Sequence, residues 1–124
     1  MLATLFLALA ATAHPVQRFA ASDPESKRIG SPDGRVLSHA SGFVFESDAR
    51  GMEAVARDFL STYGSAFGVG PSQLLVLRQA PAPGQPGAVR FERTVGSFPV
   101  FGGDVVVGVD ARSRVFLVNT RDLP

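Results

Sequence analysis

The chain of 124 residues is sparing with side chains suited to catalysis, and the few it has are badly spaced for it. Its histidines are His14 and His39, and it has no cysteine. Zinc held on a helix face needs two imidazoles one turn apart with a carboxylate between them, and these two histidines stand far apart in sequence. The lack of cysteine removes thiolate metal sites, cysteine nucleophiles and disulfides together. Ser38, His39 and Ser41 hold the residue types of acyl transfer. Neighbours on a strand point to opposite faces, however, and no Gly-x-Ser-x-Gly elbow occurs, so His39 is expected to be a surface or turn residue. Gly68-Val-Gly70 follows a helical pattern instead of opening one, which suits capping and not phosphate binding. Asp104 and Asp110 would lie roughly 20 Å apart along an extended strand, too far for joint acid–base work. No catalytic, cofactor-binding or metal-binding residue is therefore expected, and the chain reads as non-enzymatic.

Composition narrows the remaining classes. The hydrophobic share of 45% and charged share of 19% suit one small globular domain. A formal net charge of +1, with basic residues scattered from Arg18 to Arg121, gives no stripe for nucleic acid. Arg outnumbers Lys and Ala, Gly and Pro are plentiful, which points to a GC-rich bacterial genome.

Leu2 to Ala13 is an apolar and small-residue run ending in Ala11-Thr12-Ala13, the pattern of a signal peptide at residues 1–13 cleaved after Ala13. The run is shorter than the about 20 residues a bilayer-spanning helix needs, so a secreted or periplasmic chain without a stable membrane anchor is expected. Residues 14–34 show neither a helical nor a strand period, and predict a mobile N-terminal segment in which no fold begins. Within it, Ser31-Pro-Asp-Gly34 has turn chemistry.

Beyond residue 35 the elements follow from periodicity. Arg35–Ser38 and Gly42–Glu46 predict one or two short strands. Met52, Val55, Ala56, Phe59, Leu60, Tyr63 and Phe67 share one helical face, which predicts a helix over 49–67. Ser47 or Asp48 would cap it, Glu53 would pair with Arg57, and Gly68 would close it in the left-handed conformation. Strands are predicted over 73–79, 89–95, 98–101 continuing into 104–109, and 115–120. A Pro/Gly-rich surface loop fills 80–87, and a bulge is expected at Gly102-Gly103. The expected fold is α+β, one amphipathic helix packed on a twisted antiparallel sheet of four to five strands. Phe91, Phe98, Phe101 and Phe116 are expected in the core by residue type. Arg93 shares a face with Phe91, so it is expected at the sheet's edge or beside an acid.

One tract goes beyond core building: Arg90-Phe91, Thr94, Pro99-Val-Phe-Gly-Gly-Asp104 and the alternating valines up to Asp110. It resembles the FTP domain, the fungalysin/thermolysin propeptide motif of secreted zinc metalloprotease precursors. Arg93, Val95 and Ser97 depart from the pattern, where Gln, Tyr and Gly are usual. The likeness extends over about residues 50–120, counting the helix that closes on Phe67-Gly68. It implies a cystatin-like half-barrel over 35–120, followed by a short tail at 121–124.

The resemblance also implies a function. The chain would be a propeptide module, intramolecular chaperone and inhibitor of a secreted thermolysin- or fungalysin-like zinc metallopeptidase, here as a fragment lacking the peptidase domain. The alternative is a stand-alone secreted binding module or trans-acting protease inhibitor. The partner is a metallopeptidase domain, in cis or in trans, and no cofactor is implied in this chain. The expected partner-binding rim is Phe98, Pro99, Val100, Phe101 and Asp104, beside a sheet face left uncovered by the helix.

Overall fold

The computed structural model describes residues 14–69, 74–80, 87–95, 98–99 and 104–120. In chain order these form helix α1 (Pro15–Ser22), strands β1 (Lys27–Gly30) and β2 (Leu37–Phe45), and helix α2 (Met52–Tyr63), which a 3-10 turn (Gly64–Phe67) continues. Strands β3 (Leu74–Ala80), β4 (Gly87–Val95), β5 (Phe98–Pro99), β6 (Val105–Val109) and β7 (Val115–Thr120) follow. The fold is α+β. The antiparallel sheet runs in the order β1-β2-β7-β6-β4-β3, with β5 paired on β4. β3, β4, β6 and β7 fall where strands are predicted, β5 lies within the predicted 98–101, and β1 is an addition at the margin of the sheet.

The helix follows from its stripe. Val55, Ala56, Phe59 and Leu60 are buried, and with Phe67 they face Val89 and Phe91 of β4, Val105, Val107 and Val109 of β6, and Val115 and Val118 of β7 in one core. The helix starts at Met52, later than residue 49, because Gly51 with φ 91° turns the chain there and serves as N-cap without a side-chain bond. Ser47, expected as the cap, instead accepts the Ala49 amide and donates to Asp58 Oδ2 at 2.6 Å. At the other end Gly68 takes φ 70°, as expected of a closing residue. Glu53 and Arg57 form the expected pair at 2.9 Å.

Two expected short strands merge into β2, which bends at Gly42 (φ 72°) and shifts its register against β7 between Ser41 and Phe45. A residue free to adopt positive φ lets one strand turn a corner without ending. The Ser31–Gly34 turn forms as predicted: the Gly34 amide donates to the Ser31 carbonyl, and Asp33 accepts from the Ser31 hydroxyl and the Arg35 amide. The Ser31 hydroxyl, then the Arg35 amide, hold the Asp33 carboxyl below its usual pKa.

The largest correction concerns residues 14–34, where no fold was expected to begin. Residues 15–22 are helical, and β1 pairs with β2 from Lys27↔Ser41 to Gly30↔Leu37. The reason is one ring: Phe19 is fully buried among Phe43, Phe59, Tyr63 and Phe67, with centroids 5.2–6.3 Å away. An eight-residue helix is marginal alone in water. Burying a Phe side chain is worth about 1.5–3 kcal/mol, and each edge-to-face pair about 0.5–1.5 kcal/mol more, so docking supplies what local propensity lacks.

Residues 1–13, most of the 80–87 loop, Gly102-Gly103 and residues 121–124 lie outside the described residues. Among the described residues no helix is long and apolar enough to cross a membrane.

Candidate functional site

The rim expected to bind a partner begins where β4 turns into β5. Val95 pairs with Phe98 and Thr94 with Pro99, a tight antiparallel reversal at one end of the sheet. Its register leaves Phe98 projecting: the ring is 76% exposed, and with Ile29 and Val44 it belongs to the large apolar side chains left in solvent among the described residues. Phe98 thus departs from the burial its residue type predicts, while Phe91 on the same strand pair is fully buried and Phe116 is part-buried. Val100 and Phe101 lie outside the described residues; Phe98 and Pro99 pair with the end of β4, and Asp104 stands just before β6.

Asp104 sits just before β6 and meets Arg90 of β4 at 3.6 Å. The arginine is half exposed, which limits such a pair to about 0–1 kcal/mol. Its effect is positional: it fastens the chain that returns from the rim to the middle of β4. β6 then pairs with β4 from Phe91↔Val105 to Gly87↔Val109.

Under the rim, Arg93 is placed by alternation on the face of Phe91. β4 lies between β6 and β3, so Arg93 is not on an edge strand, the first of the two placements expected for it. Its Nη2 donates to the Phe67 carbonyl at 3.4 Å, at the end of the 3-10 turn, where helical carbonyls carry partial negative charge. Arg57 stands 5.2 Å over the Phe91 ring, a cation–π contact that sequence reading missed because it joins a helix to a strand.

The opposite end of the sheet is built differently. Asp110 closes β6 onto β7: its Oδ1 accepts the amides of Arg112 and Arg114, and its Oδ2 accepts Arg114 Nε, each at 2.9 Å. Burial pushes this carboxyl up, but the two amides and the Arg114 guanidinium outweigh it and hold the pKa below the usual value. Ser113 takes φ 61°, the left-handed position of the turn. Next to it a polar cleft of about 430 Å³ is lined by Glu46, Asp48, Asp58, Arg112 and Arg114.

Among the described residues the candidate Ser and His side chains are not brought together. Ser38 Oγ donates to the Ile29 carbonyl, and His39 is paired in the sheet between Ile29 and Asn119. His14 caps α1, its Nδ1 accepting the Val16 amide at 3.2 Å. Among the described residues no group of three or more His, Asp or Glu side chains could hold a metal ion.

Residues 87–121, which span β4 to β7, match the family model of the Fungalysin/Thermolysin Propeptide Motif, a non-catalytic propeptide element. No curated protein and no solved structure matches the chain.

Proposed function

We propose that this chain is a propeptide module that binds a secreted thermolysin- or fungalysin-like zinc metallopeptidase domain, assists its folding and holds it inactive. The observation that carries the reading is the propeptide motif match over residues 87–121, which falls on the strands that build the exposed Phe98 rim. A prebuilt sheet edge with a projecting ring offers a slow-folding partner a ready surface, and a propeptide needs no chemistry of its own. Phe98, Pro99, Val100, Phe101 and Asp104 form the docking rim in this reading, with the sheet curling as a cystatin-like half-barrel around α2. The module acts in the periplasm or outside the cell, once residues 1–13 are removed. Attachment to the peptidase in the same chain accounts best for an inhibitor that must be present while its target folds.

The test is refolding. A denatured thermolysin-like zinc peptidase is diluted into buffer with and without an excess of this protein, and native peptidase is assayed in parallel. The proposal expects a higher yield of folded peptidase and inhibition of the native enzyme, with inhibition weakened by Phe98→Ser. Unchanged yield and unchanged activity across thermolysin- and fungalysin-like enzymes would sink it. A second reading, a stand-alone inhibitor acting in trans, predicts inhibition without any gain in refolding yield.

A further inference from the structure

We infer that α1 is a displaceable plug and that the pocket beneath it is a binding site for an aromatic side chain, filled in the resting chain by Phe19. The inference is independent of the peptidase reading. Phe43, Phe59, Tyr63 and Phe67 come from β2, α2 and the 3-10 turn, and they present edges and faces to one ring, mostly in T-shaped contacts. Such a box selects for an aromatic guest, because aliphatic side chains cannot match the alternating edge and face charges of four rings.

Beyond Phe19, α1 touches the core through the partly buried Val16. Phe19 is the fully buried residue of α1, whereas Gln17, Arg18, Ala21 and Ser22 are exposed. The N-terminal cap is an exposed imidazole, and eight residues are too few for a helix that persists undocked. The connector is tied to β1: the Asp23 carbonyl accepts from Ser26 N, Ser26 Oγ and Arg28 Nη1, and Arg28 also donates to Ser26 Oγ. The helix can therefore leave while the turn and β1 stay in place. One side chain anchoring a short polar helix in a groove is how short helical peptides dock on partners, with the guest supplied here by the same chain. The occupant is residues 14–26, and an aromatic residue of another polypeptide would compete for the same box.

The experiment uses two readouts. In the full chain, amide exchange should be about 100-fold faster in α1, Arg18 and Asp23 included, than in the β4–β6 ladder, and insensitive to low denaturant that speeds the ladder. Exchange of α1 at the ladder's rate and with its denaturant dependence would overturn the proposal. The second readout is fluorescence, since the chain has one tyrosine, Tyr63, and no tryptophan, so the signal comes from the box itself. Added to the Phe19→Ala protein, a peptide of residues 14–26 should change this emission saturably, and the same peptide carrying Phe19→Ala should not. A folded Phe19→Ala protein that ignores the peptide, or one that has lost its far-UV dichroism altogether, shows that α1 is an integral part of the core and not a plug.

Discussion

Phe19 and Phe98 exchange the places their surroundings predict. Phe19 lies in a stretch with no hydrophobic period and is fully buried, whereas Phe98 lies in a strand-rich, strongly patterned tract and is 76% exposed. The difference teaches that burial here is decided by what an element meets. α1 lies over a box of rings that accepts one more, while Phe98 at the β4–β5 pairing stays in solvent. A ring that is hidden holds the fold, and a ring that is held out is available to another surface.

The sharpest way to break the comparison is Phe19→Ala, expected to cost about 3–5 kcal/mol because the rings that line the site cannot collapse fully into the space. Urea unfolding of the variant against the parent reads it, and a cost under about 1 kcal/mol would mean the box closes by itself. Next is Gly64→Ala at the junction of α2 and the 3-10 turn. An added Cβ would lie 2.8 Å from the Val69 carbonyl oxygen, so the backbone below the box must shift, at about 1–3 kcal/mol by thermal or urea unfolding.

A smaller effect is expected at the far end. Asp110→Asn loses the carboxylate that gathers two amides and a guanidinium, for about 1–2 kcal/mol at neutral pH. The folded pKa of Asp110 is lowered, so its contribution is complete above the unfolded value near about 3.9 and is lost as pH falls through the folded value. The urea midpoint of the parent should fall more steeply below pH 4 than that of Asp110→Asn, and parallel curves would count against the turn as a pH-sensitive element. The smallest stability effect belongs to Phe98→Ser, within about 0.5 kcal/mol, since no burial is lost. Peptidase inhibition should nonetheless weaken, and a variant that inhibits as well as the parent would leave the rim without a role.

The contrast also marks how far sequence reasoning reached. The stripe from Met52 to Phe67 was legible because it repeats over several turns, and β7 was legible to the residue because its alternating tract is bounded by the Asp110–Arg114 turn. α1 was not, since eight residues with one buried ring leave no period to detect. Alternation placed Arg93 on the inner face correctly, yet the carbonyl that receives it belongs to Phe67, and backbone acceptors have no signature in residue types. The cap of α2 went to Gly51 because the path of the chain, and not the supply of polar side chains, fixes where a helix starts. The motif drew attention to Phe98, but the exposure of its side chain, which residue type alone would have buried, is not written in residue types.

β1 is a bare margin of the sheet, with all four of its residues exposed and Ile29 60% in solvent. Margins of this kind recruit copies of themselves into growing stacks, the route by which sheet proteins aggregate. Lys27 and Arg28 set like charges against any incoming twin, and the break in pairing between Ile29 and Gly30 denies it a straight template. The strand is thereby long enough to finish the sheet and too short, too charged and too irregular to seed a fibre.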